Sequence, residues 1–580
     1  MASIEYSAWS LSNVLRGSIR DNRCSYFAII ALCYAKRAML KSDEPCAADK
    51  ASLYKITDEV NKTDDTGFIS HFISDVFNSE RYFNGDEVAI HRTLGYLPND
   101  VEGLEGIILD VKIEEDFLSQ FVADYSITPS SISELAIRML DIKDEDSFAD
   151  FGTGTGSFLV KASKQANCKL IYGCDIDSTL TAVAMIRVKV IGSKVVVKQA
   201  DMFSVDEKFD KCFSNYPFAV CKYGLKEEVL QRLAWQGLSD LPNFSSSDWL
   251  FNLQLLARLN DGGKAVIIMT RGSSVNGADE KIRKYFTASG WIEAVVALPA
   301  GMLPYTSAPA TMLVLSHGNS EVRLVDATTI CQKGRRQTTF SDSDIESIIS
   351  LLSKDKKGYS RRLTYDELAR EGFSLNPERY LGEKIVVENG VPIKDLSIAI
   401  TRGSGWSKAK LEQLNSKVPT RFRYLMLQHI VDGELERDLP YLTEIEESQK
   451  KYCVKDGDVL LSKIGPNFKV AVAEVSDNET VLATGNLYII RVDTSKIDPR
   501  YLKLYLESEQ GIAQLRRECV GNVMPNVPMS AFSKICVPMV SLEEQQKILE
   551  KYEALRQEIS MHKIAIERAR SKMANLICAE

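Results

Sequence analysis

The sequence predicts a multidomain chain: a helical N-terminal segment, an α/β domain, a separate α+β domain and a long C-terminal coiled-coil helix. Three observations carry this expectation. The length, 580 residues, exceeds what a single hydrophobic core serves. Between about 126 and 320, short β-branched runs alternate with longer amphipathic segments, the pattern of a mostly parallel sheet covered on both faces. From 541 onward, apolar residues recur alternately four and three apart, which is a heptad seam.

Residues 1–124 are expected to be helical, because WSLSNVLRGSIRDNRCSYFAIIALCYAKRAML spaces its apolar residues helically with few breakers. Residues 125–385 hold the α/β pattern, with SFADFG, KLIYGCD, KVVVKQAD, KCFSNYPF, KAVIIMTR, IEAVVALP and ATMLVLS as strands. The charged stretch from about 340 to 385, including SKDKKGYSRR, reads as helices and a connection. Residues 386–540 read as the α+β domain, with strands in VPIKDLSIAITRG, GDVLLSKIG, FKVAVAEV and TVLATGNLYIIRVD. In 541–580, Ser541 and Glu544 are spaced for a capping box. Ile548, Tyr552, Leu555, Ile559, His562, Ile566, Ala569, Met573 and Leu576 form the seam. A seam on a helix roughly 50 Å long needs a partner helix, from this chain or another copy. The alternative is an amphipathic helix lying on its own domain.

Hydrophobic content of 45% and charged content of 26% are those of a soluble globular protein. No apolar run reaches the roughly 18 residues of a membrane span. The first thirty residues lack a secretory pattern, so the expected location is cytoplasmic with no membrane partner. The twelve cysteines show no CxxC spacing, so reduced thiols are expected, with neither a metal site nor a disulfide framework. The net charge of −8 argues against nucleic-acid binding over the whole surface, but not against a local basic groove. Asp100 with Asp110-Val111-Lys112 imitates a nuclease metal site only loosely, and no GxxxxGK[ST] phosphate loop is present. Cleavage and ATP-driven translocation are expected to belong to another protein.

The chemistry-bearing stretches lie at strand ends. DFGTGTGSFLV, residues 150–160, follows a short strand and leads into a helix; glycines at 152, 154 and 156 allow a tight turn and close approach of a ligand. Asp175, in GCDIDS, lies about twenty residues on, where a carboxylate can accept from ribose hydroxyls. Its alternative is a solvated turn carboxylate. Asp201, in KQADMF, can meet an adenine amine or cap the next segment. SNYPF, 214–218, ends a fourth strand. In a parallel sheet these ends face one crevice, so the four are expected to converge.

In this order the motifs resemble an amino-methyltransferase, specifically the methylation subunit of type I restriction-modification systems, over about residues 1–380. DFGTGTGSFL resembles the family's D-P-x-x-G-T-G-G-F-L, YSITPSSISELAIRML its Tyr-x-x-Thr-Pro segment, and SNYPF its Asn-Pro-Pro-Phe catalytic turn. NVLRGSI resembles the opening of its helical domain, and GGKAVIIMTRG and WIEAVVALPAGMLPYTSAPATMLVL its later strands. After 385, GDVLLSKIG, ATGNLYIIRVD and VPMVSLEEQQKI resemble the specificity subunit, at half length with one target-recognition domain and one helix.

The resemblance implies a Rossmann-like domain that transfers a methyl from S-adenosyl-L-methionine to adenine N6 in double-stranded DNA, within a restriction-modification or phage-defence system. It implies cofactor contacts at Tyr125, Thr128, Pro129, Asp150, Gly152, Gly154, Thr155, Gly156, Phe158, Asp175, Ile176, Asp201 and Met202. The implied catalytic residues are Asn215, Tyr216, Pro217 and Phe218. Asn215 and the main-chain carbonyl of Tyr216 would accept the two amine hydrogens, and Phe218 would stack on a base turned out of the duplex. Tyr216 replaces the family's first proline; any residue supplies the carbonyl, but proline would fix φ near −65°. Phe151 stands for a proline, Ser157 for a glycine, and Asp175 for the more frequent Glu.

For recognition, Arg421, Arg423, Lys463, Lys469, Arg516 and Arg517 are the cations offered to DNA in the α+β domain, each alone also readable as a solvated charge. The expected partners are DNA and either a second copy joined through the C-terminal helix or a separate specificity or restriction subunit. The rival functions are cytosine-N4 methylation, methylation of RNA or protein amides, and a catalytically weak DNA-binding or assembly subunit.

Overall fold

The β-branched runs between 147 and 326 pair into one sheet. Its strands are β1 (Ser147–Phe151), β2 (Leu170–Asp175), β3 (Val195–Gln199), β4 (Phe209–Ser214), β5 (Leu259–Thr270), β6 (Ile292–Ala297), β7 (Ala310–Leu315) and β8 (Glu321–Asp326). A short hairpin, β9 (Gln332–Lys333) and β10 (Thr338–Thr339), lies outside it, and β11 (Ser360–Thr364) adds a ninth strand. The computed structural model describes residues 6–19, 21, 24–41, 60, 67–118, 127–192, 194–218, 223–235, 238, 240–306, 309–334, 337–382, 387–465, 468–519 and 526–575. The chain divides into two compact units, Met1–Gly382 and Glu383–Glu580.

The sheet order is β11-β8-β6-β7-β5-β4-β1-β2-β3. The run from β3 to β5 is parallel, β7 is antiparallel to both neighbours, and β11 is antiparallel to β8. β11 is an edge strand whose Arg361 and Arg362 are exposed, so its sequence carries no strand-like hydrophobic run. That is why the stretch after 340 reads only as helix and connection. Helices at Asp342–Ser353, Tyr365–Arg370 and Glu378–Leu381 accompany it.

The helices of the first unit are α1 (Ala8–Val14), α2 (Ser25–Lys41), α3 (Phe68–Asn78), α4 (Glu87–Tyr96), α5 (Val101–Leu109), α6 (Val111–Leu118), α7 (Ser130–Leu140), α8 (Ser157–Ala162), α9 (Ser178–Ile191), α10 (Tyr223–Trp235), α11 (Asp248–Ala257) and α12 (Glu280–Ala288). Alternate strand residues feed two cores. Phe151, Cys212 and Ile267 join Trp249 of α11 and Phe286 of α12 on one face. Phe148, Phe213 and Val266 join Leu135 of α7 and Phe158 of α8 on the other. With both faces covered, β1 and β7 are buried along their whole length.

Among the described residues, the N-terminal helices share their core with the sheet's helices: their cluster includes Ala182, Val183 and Ile186 of α9. α2 is buried nearly all round, as a central helix must be. Asp100 and Asp110 have capping roles: Gly103 donates its N–H to Asp100 Oδ1 at 2.7 Å, and Ile113 to Asp110 Oδ1 at 3.0 Å.

In the second unit, a four-stranded sheet runs β13-β23-β20-β21 and a five-stranded one β14-β18-β15-β22-β19. Here β12 is Gly390–Pro392, β13 Ser397–Arg402, β14 Asn415–Ser416, β15 Phe422–Leu425, β16 Ile430–Val431, β17 Glu434–Leu435, β18 Tyr441–Leu442, β19 Cys453–Val454, β20 Val459–Ser462, β21 Val470–Val472, β22 Thr480–Ala483, β23 Leu487–Val492 and β24 Cys536–Pro538. Two expected strands are divided. VPIKDLSIAITRG contains a helical turn, Ile393–Leu396, between β12 and β13, and TVLATGNLYIIRVD supplies β22 to one sheet and β23 to the other.

The C-terminal helix spans Leu542–Asn575 and opens on the expected box: Ser541 donates its N–H to Glu544 at 3.3 Å, and Glu544 donates its N–H to Ser541 Oγ at 3.2 Å. Only its first turns are sunk into the unit. Gln545 is fully buried and accepts the Asp498 N–H at 2.9 Å; Leu549 is in the core. Ion pairs from Arg556 to Glu434 and from Lys563 to Asp432 tether it further along. The seam residues Ile548, Leu555, Ile559, Ile566 and Met573 stay 38–68% exposed, and Leu576 lies outside the described residues. The helix therefore rests on its own unit through Leu549 and, of the seam, through the half-buried Tyr552, whose ring Lys503 faces at 5.7 Å.

Leu549→Ala removes the apolar anchor and should destabilise the second unit by about 2–4 kcal/mol. Chemical denaturation followed by a probe in that unit checks it; an unchanged midpoint contradicts the anchoring.

Candidate active site

β3, β2, β1 and β4 are neighbouring parallel strands, so their carboxyl ends open on one edge. The glycine turn follows β1, Asp175 ends β2, Asp201 follows β3 and Asn215 follows β4. The sheet thus brings together the four features singled out at strand ends.

Gly152, Gly154 and Gly156 have φ of 78°, 56° and 82°, left-handed values that side chains resist. The N–H groups of Gly152 and Thr153 both donate to the Cys174 carbonyl at 2.9 Å, which pins the turn to β2. The Gly154 N–H donates to Asp175 Oδ2 at 2.8 Å, and the Asp177 N–H to Asp175 Oδ1 at 2.9 Å. Burial raises the Asp175 carboxyl above its ordinary range. A carboxylate offers about four lone-pair sites, so room remains for hydroxyl donors. Beside it, Ile176 presents an apolar side chain that is 69% exposed. Asp201 accepts the Phe203 N–H at 3.0 Å and caps the turn Met202–Ser204. Asp150 is buried, accepts the Thr153 hydroxyl at 2.9 Å, and is pushed by burial up to about 7.

Other residues expected at the cofactor are spent on packing or support. Thr155 donates its hydroxyl to Glu114. Phe158 is buried and stacks on Phe213 at 3.8 Å, because α8 turns its apolar face to the sheet. Met202 is buried in the opposite core with Phe203. Pro129 is buried at the start of α7, its carbonyl accepting the Ser133 N–H at 2.9 Å. Tyr125 lies outside the described residues.

At the end of β4, the Ser214 hydroxyl donates to the Phe151 carbonyl at 2.6 Å and binds the two strand ends together. Asn215 is buried, and its amide is held at both ends. Nδ2 donates to Thr128 Oγ1 at 2.9 Å, and the Tyr305 hydroxyl donates to Oδ1 at 3.1 Å. Tyr305, between β6 and β7, also meets Phe218 edge to face at 5.8 Å. Burial raises its hydroxyl well above the ordinary phenol range. Sequence reasoning did not single out Tyr305; its only signal was an aromatic beside a proline in a strand-end loop. Tyr216 is buried and stacks on Phe251 of α11 at 4.1 Å, nearly parallel. Pro217 is exposed and Phe218 half-buried. The result is a hydrogen-bond acceptor of set orientation beside two aromatic rings, one strand away from the glycine turn.

In the second unit the expected cations divide. Arg423 is committed internally: it lies 3.0 Å from the Glu479 carboxylate, donates to the Tyr441 hydroxyl at 2.9 Å and stacks over that ring. Lys469 donates to the Ile430 carbonyl at 2.7 Å and the Leu427 carbonyl at 3.3 Å. Arg421 is exposed beside the Phe422 ring, Arg516 is exposed, and Arg517 is half-buried. Lys463 is half-buried, its ammonium depressed by burial and by neighbouring Arg402, a cation the sequence reading did not select. Among the described residues no cluster of His, Cys, Asp and Glu is arranged for a metal ion, and no helix is long and apolar enough to cross a membrane.

Comparison with known proteins agrees with this division. Residues 119–389 match the family model for N-6 DNA methylases, and 409–568 match that for the type I restriction-modification DNA specificity domain. The chain therefore holds a region similar to N-6 DNA methylases, followed by a region similar to type I specificity domains. It is 24% identical over 332 residues to the type I restriction enzyme MjaIX methylase subunit of Methanocaldococcus jannaschii, covering 50% of this chain and 59% of that one. The HindI methylase subunit of Haemophilus influenzae is 24% identical over 339 residues, 53% of this chain and 76% of its own. Against the MjaIX, MjaVIII and MpnII subunits the chain spans only about half of the relative's length (59%, 49% and 55%). The structure of a type I methyltransferase subunit from Streptococcus thermophilus shares the fold, with a TM-score of 0.53 and 20% identity over 65% of this chain and 98% of that chain.

The Asp150 carboxyl makes stability depend on pH. Folded, it keeps its proton up to about pH 7; unfolded, it loses it near pH 4. The folded state holds the extra proton between these values, so this contribution to stability falls as pH rises through that window and then levels. Asp150→Asn should therefore melt several degrees above the parent at pH 8, with the gap closing as pH falls towards 4. A gap independent of pH in thermal unfolding contradicts the assignment.

Proposed function

We propose that this chain transfers a methyl group from S-adenosyl-L-methionine to the N6 amine of an adenine in double-stranded DNA, with its second unit reading the surrounding sequence. The observation that carries the reading is the orientation of the Asn215 amide. Thr128 takes its NH2 end, so Oδ1 is presented as the acceptor, and a donor from Tyr305 already meets it. An exocyclic amine is a poor nucleophile because its lone pair is delocalised into the ring. When Asn215 Oδ1 and the Tyr216 carbonyl accept its two hydrogens, the nitrogen becomes more tetrahedral and the lone pair is freed. Positioning is the protein's main contribution.

The amine is paired inside a duplex, so the base must first turn out, at about a few kcal/mol. Phe218 and Tyr305 offer aromatic faces to receive it, and the Tyr305 hydroxyl yields Oδ1 to the incoming amine. The residues around the glycine turn suit the methyl donor. Asp175 can accept ribose hydroxyls, Ile176 can cover an adenine face, and Asp201 can accept its amine. S-adenosyl-L-methionine supplies a methyl group on a positively charged sulfur. The match to N-6 DNA methylases supports adenine over cytosine.

The exposed seam of the C-terminal helix supports pairing with a second copy of this chain, which would place two readers about a twofold axis and match a split, roughly palindromic site. Sedimentation should give a dimer, and Leu555→Asp with Ile559→Asp a monomer. A parent protein that is monomeric yet fully sequence-specific rules the pairing out. A complex formed only with a separate specificity or restriction subunit is the rival result.

Asn215→Ala should lower the methylation rate by at least about 100-fold and leave S-adenosyl-L-methionine binding nearly unchanged. Tritiated methyl transfer to DNA and calorimetry of the cofactor test the two halves, and a fully active variant sinks the assignment.

A further inference from the structure

The geometry points to Glu114 and Arg187 as positioning residues that set the glycine turn from behind, making the N-terminal helices part of the cofactor site. Both side chains are essentially without solvent contact, at 2% and 0% exposure. Glu114, on α6, accepts the Thr155 hydroxyl with one oxygen, and the Ser157 hydroxyl with the other. That second oxygen also accepts Arg187 Nη1 at 2.8 Å. Arg187, on α9, donates as well to the Ser157 hydroxyl at 2.7 Å and to the Thr155 carbonyl at 3.3 Å. Its remaining donors reach the Tyr26 hydroxyl on α2 at 2.6 Å and the Ile108 carbonyl on α5 at 3.0 Å.

Four helices and the turn thus share one ion pair. Thr155 and Ser157 alternate with Gly154 and Gly156, so the same short loop is gripped by Glu114 through its hydroxyls and by Asp175 through the Gly154 N–H. A buried ion pair adds little net stability over apolar residues of similar volume. Its directional bonds do constrain geometry, and here all those to the turn fall on residues 155 and 157. Ser157, which departs from the glycine expected there, supplies one of the two hydroxyls.

The inference rests on the glycine turn being the S-adenosyl-L-methionine site, and its test separates the two. Ser157→Ala should leave the unfolding midpoint close to the parent's, whereas Glu114→Leu with Arg187→Met, which strands the Tyr26 hydroxyl and the Ile108 carbonyl, should lower it. Hydrogen exchange without ligand should quicken about tenfold at residues 153–157 and not in β1 or β4. The dissociation constant for S-adenosyl-L-methionine, by calorimetry, should rise about tenfold. Unchanged exchange at the turn overturns the positioning role. Faster exchange with unchanged affinity overturns its link to the cofactor. A parent protein that binds no S-adenosyl-L-methionine overturns the functional reading and with it that link, whatever the exchange shows.

Discussion

Four neighbouring parallel strands must end on the same side of their sheet, and the meeting of the glycine turn with Asp175, Asp201 and Asn215 depends on that constraint. Residues 152, 175, 201 and 215 are far apart in the chain, yet β3, β2, β1 and β4 deliver them to one edge. The hydrogen bonds that secure the edge are local and few. Gly152 and Thr153 bond to the Cys174 carbonyl, Ala200 to the Asp175 carbonyl, and Ser214 to the Phe151 carbonyl. Each joins the end of one strand to its neighbour, so the distances between sites are set by the ladder and not by the loops.

The turn at 214–218 illustrates how rigidity can be supplied in different ways. A proline at 216 would restrict φ through its ring. Tyr216 instead places a large ring in the core against Phe251. Pro217 still biases the residue before it towards extended backbone. Packing and a following proline together hold the 216 carbonyl, while Thr128 and Tyr305 hold the amide next to it. This arrangement holds the turn in place without a proline at 216.

The second unit shows why a cation in a sequence is not yet a DNA contact. Arg423 and Lys469 are consumed by carboxylate, hydroxyl and carbonyl partners within their own unit. Arg421 and Arg516 keep their exposure, and Lys463 sits with Arg402. Phosphate binding depends on such local groups and not on the net charge of −8.

By itself the sequence determined the alternation that became the sheet, the strand-end motifs, the capping box at Ser541 and the heptad seam, because each is written in nearby residues or in a short period. It did not contain the polar edge strand β11, whose partner β8 lies far away along the chain, or the division of TVLATGNLYIIRVD between two sheets. Only the tertiary structure decided that Thr128 serves the Asn215 amide, that Tyr305 meets its oxygen, that Phe158 belongs to the core, and that Glu114 grips the glycine turn. Those roles follow from contacts across tens of residues. Periodicity and spacing report on neighbours along the chain, whereas a side chain's partner is chosen by packing.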